Sequence, residues 1–334
     1  MLKNANVSSE SPLYGALGLL YSTIKACPYK GKSMAATVQT LTIDINCPPA
    51  LAAYLGQLLW TVGGVTGVME LYSNPNAAET TIDDLDVIRV FAEPADDVTE
   101  AITKLLTSDP QLAGCRIQDE RHMAEADWAE HWKQYWHATR VTQHLTICPS
   151  WEREAYQSTD GERVMTIDPG SAFGTGAHGT TSLMLKVIET LAQRQDFSQC
   201  SVLDIGTGSG ILAIACAMLG CQNITAIDIC PNAVQVTKDN ARLNGVESVI
   251  NASEMPLADL CRTQHDIVLA NIIAPVILAL LPEMILRLAP NGTLVLSGLI
   301  AKNLPEIETA LRHHGFNTIE PQQEGDWYAL IARR

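Results

Sequence analysis

Val202-Leu203-Asp204-Ile205-Gly206-Thr207-Gly208-Ser209-Gly210 is the stretch whose reading decides the fold. An apolar strand runs straight into three alternating glycines, and a helix-like run from Ile211 to Leu219 follows at once. Strand, glycine turn and helix N-terminus together make a nucleotide-type cofactor site, with bare backbone beside the ligand and a helix end behind it.

Working outward, strands and helices alternate from Thr181 onward. A helix through Leu191 leads to strand Ser201 to Ile205, helix Ile211 to Leu219 and strand Asn223 to Ile229. Helix Ala233 to Leu243, strand Ile267 to Asn271, helix Pro275 to Leu288 and strand Gly292 to Ser297 come next. Helix Leu304 to His314 and a strand near Trp327 to Ala332 complete the series. This order predicts an open, largely parallel, doubly wound α/β sheet with its site at the C-terminal strand ends.

The first third reads differently. Thr37 to Asn46 alternates apolar and polar residues as a half-buried strand does. A helix over Ala50 to Val62 opens after Pro48-Pro49 and ends at Gly63-Gly64. Strands at Gly67 to Tyr72 and Val87 to Phe91, a helix at Val98 to Leu106 and a short strand at Gly114 to Gln118 follow. The order β-α-β-β-α-β points to a smaller ferredoxin-like α+β domain. That fold also serves RNA recognition, which needs stacking aromatics among cations. Here Glu79 to Glu100 carries Asp83, Asp84, Asp86, Glu93, Asp96 and Asp97 against one cation, Arg89. Such a surface repels phosphates and suits either a lysine-rich partner or plain solvation.

Glu120 to Ala138 is expected to be a helix joining the two halves, with Trp128, Trp132 and Trp136 on one face packing against a neighbouring domain. The strands Leu145 to Cys148 and Val164 to Ile167 flank a Pro149-Ser150-Trp151-Glu152 corner. The expected division is a disordered extension over 1–33, a ferredoxin-like recognition domain over 34–119, a linker helix with its connecting strand over 120–150, and the catalytic domain over 151–334. Leu13 to Tyr21 is apolar, but Lys3 is offset by Glu10 and no small-x-small cleavage site follows, so it reads as extension rather than signal peptide.

The 334 residues fit about two domains, and 47% apolar content is ordinary for a protein with a real core. A net charge of −15 disfavours general nucleic-acid affinity and favours a basic partner. Nine cysteines without a C-x-x-C pair read as free thiols of a reducing cytosol. The eight histidines show no metal-ligand spacing, so no metal is expected. Ile267 to Leu281, the longest apolar run, contains Asn271 and Pro275 and is too short to span a bilayer.

Two cofactor chemistries use this architecture. The dinucleotide fingerprint G-x-G-x-x-G/A begun at Gly206 would require a small residue where Ile211 stands. The form present is D-x-G-x-G-x-G from Asp204, followed by an acid, Asp228, at the end of the next strand. It resembles the class I S-adenosylmethionine-dependent methyltransferases. A carboxylate at Asp228 can accept both hydroxyls of a ribose, Asp204 fits holding the loop and the cofactor's amino-acid end, and a Cβ at Gly206 or Gly208 would push against the ligand. Asn271 ends Asp266-Ile267-Val268-Leu269-Ala270-Asn271, where an amide oxygen can receive the N–H of a substrate amine; the alternative is a residue closing the turn before Pro275. Asp168 to Thr181, with four glycines, is expected to be a ligand-covering loop that delivers Thr180 and Thr181 to a helix start; His178 in it reads as structural rather than as a base.

These motifs carry a closer resemblance. Asp168 to Thr181, Asp204 to Leu212, Ala226 to Pro231 and Asn271-Ile272 are similar to the PrmA family, methyltransferases of the eleventh large-subunit ribosomal protein. The likeness extends to Asp127-Trp128, the Pro149 to Glu152 corner, Leu296-Ser297-Gly298 and Ala332-Arg333-Arg334, from roughly Thr37 to the C-terminus. It implies a Rossmann-like class I methyltransferase domain and transfer to lysine ε-amines and an α-amine, up to trimethylation. It further implies an N-terminal domain that captures the substrate and swings relative to the catalytic one. Carried over by motif, the cofactor contacts are Thr181, Gly206, Asp228 and Asn271, with Gly208 beside them on the glycine pattern. Two departures, Ala177 where the family has threonine and Gly179 where it has proline, bear on rate or substrate preference rather than on the cofactor.

The expected protein is a cytoplasmic, monomeric enzyme, with S-adenosyl-L-methionine as cofactor and Asn271 at the reacting centre. Its partner is a large-subunit ribosomal protein, free or on the ribosome, without membrane or direct DNA binding. The rival readings are another acceptor protein, a non-catalytic ribosome-binding module and a nicotinamide dehydrogenase.

Overall fold

The computed structural model describes residues 39–59, 62–71, 86–92, 97–124, 136–168 and 179–334. The 1–33 extension, Trp128, Trp132, His178 and Ala177 lie outside them.

The N-terminal unit runs β1 (Gln39–Cys47), α1 (Pro49–Leu59), β2 (Val65–Leu71), β3 (Asp86–Ala92), α2 (Val98–Ser108) and β4 (Arg116–Ala124). Its four strands pair antiparallel in the order β2-β3-β1-β4. Alternation along β1 sends Leu41, Ile43, Ile45 and Cys47 into a core with Leu55 and Leu59 of α1 and Val98, Ile102 and Leu106 of α2. Asp44 accepts both ends of the Arg89 guanidinium at 2.7 Å, with Arg121 added at 3.0 Å. Arg89, the one cation of its acidic stretch, is thereby neutralised from inside the unit.

The expected helix over Glu120 to Ala138 is corrected at both ends. Glu120 to Ala124 continue β4, paired with β1 as far as Gln39↔Ala124. Residues 136–138 are not helical. Cross-strand pairing along β1 from Gln39 to Asn46 fixes these residues as strand. Trp136 does pack as expected: it is buried and meets Trp151 edge-on at 5.3 Å.

Two short strands, β5 (Thr139–Arg140) and β6 (Leu145–Pro149), join β7 (Arg163–Ile167) in a small sheet. The rest of the chain is α3 (Gly179–Arg194), β8 (Ser201–Ile205), α4 (Ile211–Met218), β9 (Asn223–Asp228), α5 (Pro231–Leu243) and β10 (Ile250–Glu254), followed by β11 (His265–Asn271), α6 (Ala274–Leu286), β12 (Leu288–Ile300), α7 (Leu304–His313), β13 (Thr318–Glu324) and β14 (Trp327–Arg333). The seven-stranded sheet has the order β10-β9-β8-β11-β12-β14-β13, with β14 antiparallel to both its neighbours. The five strands from β10 to β12 are parallel.

The central strands are apolar throughout because both faces are covered. Val202, Ile267, Leu269 and Val295 face a core shared with α3 and α4, while Leu203, Ile205, Val268 and Leu296 face one shared with α6 and α7. Among the described residues no helix is long and apolar enough to cross a membrane.

Beside the glycine turn, backbone meets backbone. Gly298 has φ +83°, and a Cβ there would run into the carbonyl of Ile272, whose carbon would lie 2.9 Å away. Ile272 in turn presses its side chain on Gly206. Gly298→Ala therefore combines a left-handed alanine with a clash against main chain. It is expected to destabilise the protein by more than about 2 kcal/mol, read as a lowered urea midpoint at unchanged slope; an unchanged midpoint would contradict this packing.

Candidate active site

The glycine turn is built where β8 ends. Gly206 and Thr207 donate their N–H groups to Ile227 O of β9 at 2.9 and 3.1 Å, which fastens the turn to the neighbouring strand. Gly206, Gly208 and Gly210 all have positive φ, at 71°, 57° and 83°. At Gly206 an added Cβ would sit 2.7 Å from Ile272 Cγ2. The protein's own packing therefore already demands a glycine there.

Asp228 stands at the C-terminal end of β9, and its carboxylate is held from two sides. Oδ2 accepts Gly208 N–H at 3.1 Å and Oδ1 accepts Cys230 N–H at 2.9 Å. Burial pushes its pKa above the ordinary carboxylate value, and the same N–H groups pull it part of the way back. Each oxygen keeps a lone pair, enough for two hydroxyls side by side. The neighbouring Ile229 is 43% exposed, an unusual amount for an isoleucine following a buried strand. It offers apolar surface next to the acid.

Asp204 lies deeper, fully buried at the end of β8. Thr207 donates its hydroxyl to Oδ2 at 2.7 Å, while Oδ1 has no hydrogen-bond partner. Burial, with Asp228 adding to it, pushes the Asp204 carboxyl up to about 7.

Thr180 and Thr181 are buried in the first turn of α3. Asn271 ends β11 and is half-buried; its Nδ2 reaches Thr181 Oγ1 at a long 3.4 Å. The strand ends thus bring Asp204, Gly206, Gly208, Asp228, Asn271 and Thr181 to one edge of the sheet, with β8 central between β9 and β11. Only Asp168, Gly179, Thr180 and Thr181 of the long glycine-rich motif are among the described residues.

Helix α5 holds the glycine turn through residues that the sequence alone did not single out. Thr237 donates its hydroxyl to Gly208 O at 2.9 Å, and Asn240 donates Nδ2 to Ser209 O at 2.9 Å. A signal for them was present: Ala233, Val234, Thr237, Asn240 and Ala241 are the buried face of α5, and two of these five are polar. A polar residue on a core-facing stripe must be satisfied there, so its partner was worth seeking.

The turn's donors decide between ligands. In phosphate-binding turns the glycine N–H groups are aimed at the anion. Here Gly208 N–H is taken by Asp228, and the carboxylate would repel a pyrophosphate. A nucleoside without phosphates fits: hydroxyls for Asp228, apolar surface at Ile229, and a buried acid at Asp204.

A family model described as ribosomal protein L11 methyltransferase (PrmA) matches residues 40–334. The ribosomal protein L11 methyltransferase of Bacillus pumilus is 36% identical over 242 residues, 72% of this chain and 76% of its own. That of Geotalea uraniireducens is 35% identical over 311 residues, 88% of this chain and 98% of its own. The crystal structure of a ribosomal protein L11 methylase from Lactobacillus delbrueckii subsp. bulgaricus is 35% identical with a TM-score of 0.54, over 60% of this chain and 99% of that one.

Asp204 gives a pH signature. Its folded value lies above the 3.8 of an ordinary aspartate, so the native state keeps a proton that the unfolded chain gives up. Its burial is therefore free in acid and becomes costly as pH rises from about 4 to about 7. The stability of Asp204→Asn relative to the parent is expected to grow over that window, on the order of 1.4 kcal/mol for each pH unit at most. Denaturation curves at pH 4, 5.5 and 7.5 read it; a difference that does not change with pH would contradict the assignment.

Proposed function

This chain belongs to the ribosomal protein L11 methyltransferase family, and from that premise we propose that it transfers methyl groups from S-adenosylmethionine to lysine ε-amines, and to the N-terminal α-amine, of that large-subunit protein. The observation that carries the cofactor is the Gly208 N–H bound to the Asp228 carboxylate, which suits a ribose and disfavours a phosphate.

The cofactor, when bound, supplies a methyl group made electrophilic by a sulfonium. The chain's own residues do the rest. Asp228 would receive the ribose hydroxyls, Gly206 and Gly208 form the floor under the nucleoside, and Thr181 with Asn271 forms the edge toward the methyl end. Asn271 turns its amide nitrogen to Thr181, which leaves Oδ1 to accept an N–H of the incoming amine and so aim its lone pair. This is positioning, the term on which a reaction with a good leaving group depends most. A lysine with pKa ~10.4 must first lose its proton, and removal from water into the site favours the neutral amine. Solvent takes that proton in this reading, since no described side chain stands as its base.

The four-stranded unit is read as the ferredoxin-like recognition domain over 34–119, and 151–334 as the catalytic domain. Acting as a monomer in the cytoplasm, it meets its substrate free or on the ribosome. The net charge of −15 complements a basic ribosomal protein.

Labelled S-adenosylmethionine incubated with the enzyme and total ribosomal proteins is expected to place label on the eleventh large-subunit protein, at lysines and the N-terminus by mass spectrometry. Label on RNA, or on no protein, would overturn the acceptor assignment. In calorimetry Asp228→Ala should weaken cofactor binding by about 1–3 kcal/mol, and unchanged affinity would remove its ribose role. Asn271→Ala should lower turnover at saturating cofactor; wild-type turnover would reduce Asn271 to a turn residue.

A further inference from the structure

Asn240 is fully buried, and both ends of its amide are used on elements that do not touch each other in sequence. Nδ2 donates to Ser209 O of the glycine turn at 2.9 Å. Oδ1 accepts the N–H of Asp168, just past the end of β7, at 2.8 Å. One helical turn on, Asn244 holds the same strand: Oδ1 accepts Thr166 N–H at 2.8 Å and Nδ2 donates to Thr166 O at 2.7 Å. Nδ2 of Asn244 also donates to Asn240 O at 2.8 Å, so the two asparagines form one ladder. On the other side Thr237 grips Gly208 O.

Helix α5 is therefore a clamp with two jaws. One jaw, Thr237 and Asn240, holds the turn on which the nucleoside rests. The other, Asn240 and Asn244, holds the end of β7. Asn240 alone belongs to both. A leucine of similar shape would fill the same space, so packing does not call for an amide here; the two hydrogen bonds do. From the reading given under Proposed function, on which this inference rests, the spacing between those jaws has a consequence. Methyl transfer requires donor and acceptor to meet in line, and an error of about 1 Å can cost about a hundredfold in rate.

We propose that Asn240 is a positioning residue for methyl transfer: its amide locks the cofactor turn to the Asp168 end of β7 in a single register. Binding of the cofactor on the turn is then felt at Asp168, across the two bonds of one side chain.

Two variants break the link between the jaws, one at a single bond and one at both. Asn240→Asp keeps an oxygen for Asp168 N–H but sets a second oxygen against Ser209 O. Asn240→Leu removes both bonds at nearly constant volume. With the full-length enzyme, Asn240→Asp loses the bond to the turn and with it the link, and is expected to raise the Kd for S-adenosylhomocysteine at least fivefold and to lower kcat at least tenfold at saturating cofactor. Asn240→Leu is expected to raise Kd similarly and also lower kcat at least tenfold. Hydrogen exchange provides a readout that needs no acceptor: saturating S-adenosylhomocysteine should slow exchange at the Asp168 amide in the parent but in neither variant.

Wild-type kcat in Asn240→Leu, or ligand-dependent protection at Asp168 equal to the parent's, would overturn the proposal. So would a lowered melting temperature with Kd and kcat both unchanged below it, the mark of a purely structural asparagine. Should Asn240→Leu fail to fold, Asn240→Asp decides: a kcat within threefold of the parent's, or ligand-dependent protection at Asp168 equal to the parent's, would overturn the proposal. Failure of the parent to methylate the ribosomal protein would remove the acceptor reading and leave the exchange result standing on its own.

Discussion

The Asp228 carboxylate receiving the N–H groups of Gly208 and Cys230 is the contact on which the site depends. It closes the glycine turn over the end of β9 and sets an anionic group where a phosphate would otherwise rest. The cost is visible in the acidity of both acids at the edge: burial raises Asp228 and pushes Asp204 to about 7. A ligand that is cationic, rich in hydroxyls and free of phosphate relieves both. On the reading proposed above, the turn favours such a cofactor through charge, before any contact with the acceptor is considered.

Around that contact the fold is arranged to keep main chain close to main chain. Gly298 lets Ile272 approach, Ile272 leans on Gly206, and α5 reaches over to hold Gly208 and Ser209 by their carbonyls. None of these contacts is catalytic by itself. Together they fix the turn from three directions, so that the geometry of the strand ends is set before a ligand arrives, which is how binding energy is kept for the reacting centre.

Much of this was legible in the sequence, and the unread parts share a cause. The central strands announced themselves because burial on both faces makes them apolar from end to end, as in Val202 to Ile205 and Ile267 to Ala270. β10 and β13 went unread; they are the two edges of the sheet, half-exposed and polar, as Asn251, Ser253, Gln322 and Gln323 show. Glu120 to Ala124 was misread as helix because its partner β1 lies some 80 residues earlier, and pairing at that distance leaves no local period. In the site, Asp228 and Asn271 were found by their places at strand ends. Asn240 was not, since its two partners, Ser209 and Asp168, become neighbours only when α5 is packed against both β7 and the turn.

The central claim is that the turn and Asp228 hold a phosphate-free nucleoside at the end of β9. A crystal structure of the complex with S-adenosylhomocysteine tests it most directly. The account predicts both ribose hydroxyls within hydrogen-bond distance of Asp228, the base against Ile229, and the Gly208 N–H still donated to the carboxylate. A ribose placed elsewhere, or a Gly208 N–H turned away from Asp228 to meet the ligand, would contradict it.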